Sequence, residues 1–408
     1  MNLLLMFLTV LFTTVLLELA LRLTYFKGSL CQLEFPSNYF KLDKDSGFDI
    51  TDNFSSQEFK SSSVNHEIWS NELGCFDLPY SGKDKFILLV GDSFTWGFTP
   101  FKYKWGNKIE DLTGTRVLKC GVGGYGTRQE YYKIKKIISL VKKRPELIIV
   151  GYFCNDIEDD YLFPRYTCIN GNLVEKNKFK NIFTGEKIVY SDDELKQQLD
   201  NYKKYFCTFD NTFGLIKAWL RKNSIIYHII KDSAIIRRPL SKINKLGICR
   251  FESSPDTYGW FERGLSQHLN NIRMIKELSD QIGSKLIFVI IPENYQVYES
   301  MKQAAIENRP QYGLIVNRII SYMDSQGIAY YDLKPGFKEF IEEAAKRGRK
   351  AKNSLYWRYD SHWNIKGNQL AGLLISKYLI ENKIIKVDNE KEKLSEICRE
   401  INNLESGS

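Results

Sequence analysis

A three-layer α/β fold around a five-stranded parallel sheet is the architecture the sequence predicts. Two observations predict it. Five short apolar runs are near-continuous rather than alternating, as strands buried on both faces are. Helical patterns lie between them, and strands alternating with helices build a parallel sheet covered on both sides. The chain has 408 residues, 43% hydrophobic and 26% charged, which is enough apolar material for a large core and excludes wholesale disorder.

The first run is Lys85 to Gly91, with Phe86, Ile87, Leu88, Leu89 and Val90 in succession. Arg116 to Gly121, Leu147 to Phe153, Lys285 to Ile291 and Ile328 to Leu333 supply the other four strands. Thr127 caps a helix running to about Lys142, whose Tyr131, Ile134, Ile137, Ile138 and Val141 share one side. Further helices are expected near 193–222, 261–281, 310–325 and 366–381. Residues 27–84 are polar and broken and read as a connector packing on the domain at 85–383. Residues 156–255 read as a helical insertion, and 384–408 as a C-terminal helix or tail. No internal repeat is visible.

Leu3 to Leu17 is an almost unbroken apolar run that continues, with Glu18 and Arg22, to Phe26. Those two charges are spaced i,i+4 and can pair on one helix face. No Lys or Arg precedes the run and no small-x-small site ends it, which argues against a cleaved signal peptide. Leu30 before Cys31 argues against a lipoprotein signal. Residues 1–26 therefore read as a single-pass transmembrane anchor, with the remainder outside the cytoplasm.

The net charge is +9, and nine Lys or Arg fall between Lys217 and Arg250 against one acid, Asp232. With interleaved isoleucines, that stretch reads as a solvated basic helix with one buried face. A second basic run, Arg347-Gly348-Arg349-Lys350, reads as a solvated turn. No nucleic-acid module is present, so nucleic acid is not an expected partner. The eight cysteines form no CxxC pair and no zinc-ligand spacing, so no metal is expected. Cys120 and Cys154 fall in predicted strands and read as small hydrophobic residues.

In open parallel sheets, ligands bind beyond the carboxyl ends of the strands, so the residues following each strand carry the chemistry. After the first strand comes Gly91-Asp92-Ser93-Phe94-Thr95-Trp96-Gly97, a serine at a strand-to-helix turn. After the second comes Gly121-Val122-Gly123-Gly124-Tyr125-Gly126-Thr127, whose glycines let backbone N–H groups approach a ligand. No suitably placed acid follows to make it a dinucleotide site, so no cofactor is expected. After the third comes Gly151-Tyr152-Phe153-Cys154-Asn155-Asp156, where Asn155 offers an amide donor. Near the C-terminus comes Tyr359-Asp360-Ser361-His362-Trp363-Asn364. His362 is the one of four histidines that stands beside an acid on a loop at the end of the last α/β unit.

In order and placement these four blocks resemble the SGNH (GDSL-like) hydrolase family, over about 85–156 and 282–383 but not over the insertion. The resemblance implies a flavodoxin-like three-layer fold. It implies Ser93 as nucleophile, His362 as base and Asp360 as the third member of the triad. It also implies an oxyanion hole made by the Ser93 N–H, Gly124 and the Asn155 amide. Two spacings depart from the family's usual pattern: three residues separate Gly151 from Asn155 instead of one, and one residue separates Asp360 from His362 instead of two. The second resembles the D-x-H-W form of membrane-anchored, polysaccharide-modifying relatives. The implied activity is hydrolysis of an acyl or acetyl ester on cell-surface carbohydrate. The same residues would serve an O-acyltransferase, and a glycan-binding module without activity is the reading from another class.

Overall fold

The computed structural model describes residues 2–24, 33–61, 63–82, 85–205, 224, 226, 258–298, 314–347, 354–357 and 361–406. In chain order its strands are β1 (Leu33–Glu34), β2 (Phe40–Asp43), β3 (Gly47–Ile50), β4 (Gln57–Ser61), β5 (Asn65–Ile68), β6 (Phe86–Gly91), β7 (Arg116–Lys119), β8 (Leu147–Tyr152), β9 (Tyr166–Ile169), β10 (Asn172–Glu175), β11 (Asn177–Asn181), β12 (Glu186–Val189), β13 (Lys285–Ile290) and β14 (Ala329–Asp332). The first helices are α1 (Asn2–Thr24), α2 (Ser93–Trp96), α3 (Trp105–Thr113), α4 (Thr127–Val141) and α5 (Asp156–Tyr161). The chain divides into two compact units. One comprises Met1–Phe35, Phe59–Asn65 and Ser191–Gly247; the other comprises Pro36–Glu58, His66–Tyr190 and Ile248–Ser408.

In the first unit, α1 carries exposed apolar side chains from Leu5 to Leu19. The sequence predicts a transmembrane anchor here. Among the described residues, however, no helix is long and apolar enough to cross a membrane. Two features of α1 depart from an uninterrupted apolar span. Thr9, Thr13 and Thr14 turn their hydroxyls back onto carbonyls of the preceding turn. The Glu18 carboxylate accepts hydrogen bonds from the Ser224 hydroxyl and the Ile226 N–H, a partner set that helical spacing alone does not suggest.

The second unit is built on a parallel sheet of order β14-β13-β8-β6-β7. All six residues of β6 and all six of β8 are buried, which accounts for the unbroken apolar runs. One core layer packs Ile134 and Ile137 of α4 and Ile272 and Ile275 of the helix Phe261–Ile282 against Leu88, Val90, Ile148 and Val150. The other layer packs Trp105, Ile109, Leu370, Ile375 and Phe337 against Ile87, Leu89, Ile149 and Val289. The sheet thus has helices on both faces. β6 is flanked by β7 on one side and β8 on the other, so the chain reverses its direction of winding there. That switch point is where an open α/β sheet holds its ligand.

Four details differ from the sequence reading. After α5, the first part of the insertion is two antiparallel hairpins, β9–β10 and β11–β12, rather than helix. Turn pairs explain this: Asn170-Gly171 and Thr184-Gly185 place residues at positive φ, as tight hairpins require. The predicted helix near 193–222 is seen as Asp192–Tyr205, and its remainder, like nearly all of the basic stretch, lies outside the described residues. Cys120 is not a plain hydrophobic residue. It ends the β7 run beside the Cys75 loop and is bonded to Cys75, and Cys154 is likewise disulfide-bonded. Gly126, not Thr127, caps α4, because the Thr127 hydroxyl is engaged with the buried Asp160.

The connector contributes to this unit through the β2–β3 hairpin. Lys133 of α4 is 1% exposed and donates to Asp49 at 2.7 Å, while Lys136 donates to the other Asp49 oxygen at 2.7 Å. A lysine on the buried side of an amphipathic helix is tolerated only with such a partner.

Candidate active site

Gly91 ends β6 and is in register with Gly151 of β8. Thr95 lies over both. A Cβ at either glycine would fall 2.1 Å from the Thr95 Oγ1, so a side chain at neither position is compatible with α2 where it stands. Gly121 is similarly confined, since a Cβ there would lie 2.5 Å from the Trp96 nitrogen. These glycines let α2 sit directly on the strand ends.

Asp92 caps α2 by accepting from the Phe94 N–H at 2.9 Å. Ser93 is then the first residue of the helix. Its Oγ lies 2.7 Å from His362 Nε2 and 3.2 Å from Asp92 Oδ2. A hydroxyl has one proton, so it donates to one of these partners while the other meets a lone pair. Burial pushes the Asp92 carboxyl up to about 6, against the opposing pull of the Phe94 N–H, of the His362 ring and of Ser93.

His362 is delivered by a loop rather than a helix. Trp357 N–H donates to the His362 carbonyl at 3.0 Å, Asn364 N–H donates to Leu355 at 3.0 Å, and Tyr356 and Trp363 form an antiparallel bridge. This loop is tied to the end of β13, because the Tyr356 hydroxyl donates to the Pro292 carbonyl at 2.8 Å. Asn364 caps the helix Ile365–Glu381 through the Gly367 N–H. The imidazole itself packs between the rings of Phe98 and Phe94, with centroids at 4.1 and 4.9 Å.

Sequence-predicted site residues fall as follows. Ser93 and His362 are brought into hydrogen-bond contact. Asp360 lies outside the described residues. The glycine loop approaches the serine at Gly123, where a Cβ would stand 3.9 Å from the Ser93 Cβ. Gly124, at φ +84, is backed by Tyr166, whose ring carbons would meet a Cβ there at 3.3 Å. Asn155 begins α5 at the end of β8, and its Nδ2 donates to Asp159 at 2.9 Å. Sequence reasoning missed Asp92, Phe98, Asp159 and Arg165. For Asp92 a signal existed, since an Asp just before a short helix is a preferred cap. For the others, spacing alone carries none.

A group of carboxylates lies buried in the same unit. Glu130 and Asp156 are both 0% exposed, and burial together with neighbouring acids (Asp92 and Asp160 for both, with Glu130 and Asp159 also for Asp156) holds them well above the usual carboxylate range. Protonated carboxyls are what such a setting favours.

No protein-family model matches the chain, and no curated protein matches it. Similar solved structures include a lipolytic G-D-S-L family protein from Desulfitobacterium hafniense, 12% identical, over 72% of this chain and 99% of that one, with a TM-score of 0.30. They include a catalytic mutant of an acetylxylan esterase from Geobacillus stearothermophilus, 11% identical, over 74% and 95%, with a TM-score of 0.35. A GDSL-like lipase from Bacteroides thetaiotaomicron is 11% identical, over 74% and 91%, with a TM-score of 0.30. At these identities and TM-scores, function rests on the geometry of the site itself.

Proposed function

We propose that this chain is a serine ester hydrolase with Ser93 as nucleophile and His362 as general base. The observation that carries the reading is the 2.7 Å contact between Ser93 Oγ and His362 Nε2 at the switch point of the sheet. Nucleophile and base within hydrogen-bond reach are the signature of an activated serine. In the proposed reaction His362 takes the hydroxyl proton as Ser93 Oγ bonds to the ester carbonyl carbon. The tetrahedral intermediate collapses, the C–O bond to the alcohol breaks, and His362 returns the proton to the leaving oxygen. Water then attacks the acyl-serine by the same route and releases the acid. The glycine loop and the Asn155 amide are proposed to stabilise the oxyanion, and Asp360 to orient the imidazole. Losing one oxyanion donor typically costs roughly 10²–10³ in rate.

The substrate proposed is an acyl or acetyl ester on cell-surface carbohydrate, on the strength of the family resemblance in the four sequence blocks. An extracytoplasmic location is proposed with it. The disulfide between Cys75 and Cys120 suits an oxidising compartment, and the exposed apolar side chains of α1 suit a lipid surface. Membrane fractionation of the full chain against a variant lacking residues 1–26 tests the second point.

The test of the activity is covalent labelling with a fluorophosphonate, followed by acetate release from a panel of O-acetylated glycans. Wild type is expected to label and Ser93→Ala to be blank. Labelling that persists in Ser93→Ala, or a folded wild type that does not label, overturns the reading. Acetate appearing on an added sugar instead of in solution identifies transfer to a hydroxyl acceptor.

A further inference from the structure

Asn155 occupies the N-cap position of α5, where an asparagine ordinarily turns its side chain back to cap the helix. Here it makes no such bond. Its Nδ2 donates instead to Asp159 Oδ2, one turn along, at 2.9 Å. The other Asp159 oxygen accepts from Arg165 Nη1 at 2.8 Å. Arg165 is itself anchored by Glu158 at 3.0 Å and Glu175 at 3.2 Å. Asp159 is 2% exposed, so the chain of contacts is shielded from water.

We propose that Asp159, held by Arg165, is a positioning residue that fixes the orientation of the Asn155 amide at the oxyanion site. This deepens the serine-hydrolase reading and rests on it. The argument is one of donors and acceptors. An amide flipped by 180° would set Asn155 Oδ1 against the Asp159 carboxylate, acceptor against acceptor. Asp159 therefore selects the orientation in which nitrogen faces it. One of the two N–H groups is consumed in doing so and the second remains for a ligand. The Asn155 Oδ1 is buried without a hydrogen-bond partner among the described residues, so the bond to Asp159 governs the rotamer. The residue after Arg165 is Tyr166, whose ring backs Gly124. The start of the insertion thus braces both elements proposed to hold the oxyanion, which gives its first hairpin a role in the reaction.

A double-mutant cycle tests this. Asn155→Ala, Asp159→Ala and the double variant are assayed on p-nitrophenyl acetate, with Ser93→Ala as the blank and thermal melts as the control for folding. Asp159→Ala is expected to lower kcat roughly tenfold to a hundredfold with KM little changed, the scale of a misplaced catalytic group. In the Asn155→Ala background the same substitution is expected to cost nothing further. Asp159→Asn keeps the shape but offers one acceptor oxygen to two donors. With that oxygen on Arg165, its NH2 faces Asn155 and favours the flipped amide, so kcat is expected to fall as in Asp159→Ala. If Asp159→Ala does not fold, Arg165→Gln takes its place in the cycle with the same expected non-additivity. Factors that multiply in the double variant, or an unchanged kcat in Asp159→Ala, overturn this proposal alone. Turnover that survives Ser93→Ala overturns the serine reading and this proposal with it.

Discussion

The ring of Phe98 lies 4.1 Å, centroid to centroid, from the imidazole of His362 and inclined to it by 31°. Phe94 flanks the same imidazole at 4.9 Å. The backbone reinforces the contact, because the Trp357 indole donates to the Phe98 carbonyl at 2.8 Å while the Trp357 N–H holds the His362 carbonyl. Two aromatic walls thus set the plane of the ring that faces Ser93. Phe98→Ala removes one wall and leaves every polar group in place. It is expected to lower kcat roughly tenfold to a hundredfold, the scale associated with loss of a defined attack geometry. Phe98→Tyr keeps the wall and is expected to stay close to wild type. Steady-state kinetics on a simple ester decides the matter, and equal rates for Phe98→Ala and wild type would remove the rings from the account.

The Thr95 side chain and the glycine pair it covers make a second test. Gly151→Ala places a methyl where the Thr95 Oγ1 now sits, and the next neighbours, Trp105 and Ile291, are at ordinary distances of 3.4 and 3.5 Å. Overpacking of this kind costs about 1–3 kcal/mol. Thr95 Oγ1 is buried with no hydrogen-bond partner among the described residues, so its loss breaks no bond. The double variant Gly151→Ala/Thr95→Ala is therefore expected to recover most of the stability lost in Gly151→Ala. Urea unfolding of wild type and the two variants reads this directly, and a double variant less stable than Gly151→Ala would contradict it.

Much of the core was legible because burial on both faces leaves its mark in composition. The unbroken run Phe86 to Val90 can be little else than a central strand. Gly91, Ser93 and His362 were legible because the chemistry proposed for the site restricts residue types at strand ends. Lys133 was not legible. On a helical wheel it is polar, and partners distant in sequence, Asp49 and the Gly74 carbonyl, make its burial possible. The hairpins after α5 were missed because their strands alternate weakly and are half-buried, as in Asn172–Glu175. Asp159 was missed for a related reason: its partner Arg165 comes from a turn whose path the spacing does not encode. Long-range polar pairing is a property of the fold, whereas apolar periodicity is a property of the local sequence.

The bond between Cys75 and Cys120 joins the loop before β6 to the end of β7, across 45 positions. Closing a loop of that size restricts the unfolded chain, and such a link typically contributes about 2–4 kcal/mol. Cys75→Ala/Cys120→Ala is expected to lose stability in that range in chemical unfolding. Wild type in reductant loses the Cys154 link as well and is expected to fall at least as far. A double variant as stable as the oxidised wild type would show that the contacts around Asn71 and Leu89 hold the two segments without the link.

Asp92 gives a pH dependence whose sign is fixed by its burial. Its ordinary value is 3.8, and in the fold burial pushes it up to about 6. The fold therefore favours the protonated carboxyl. Below about pH 3.8 both folded and unfolded chains carry the proton and Asp92 contributes no pH dependence. Between 3.8 and 6 the unfolded chain ionises first, so the contribution of Asp92 to stability falls as pH rises. Above 6 both states are ionised and the loss stays constant, at up to about 3 kcal/mol by linkage. Asn at this position cannot ionise, yet its carbonyl oxygen still accepts from the Phe94 N–H and caps α2. The stability of Asp92→Asn relative to wild type is therefore expected to rise from pH 4 to pH 6 and to level off above. Urea unfolding at pH 4, 5, 6 and 7 measures the difference. A difference that is flat across this range would mean that burial leaves the carboxyl unshifted, and one that falls with pH would mean that the carboxylate is stabilised as the anion.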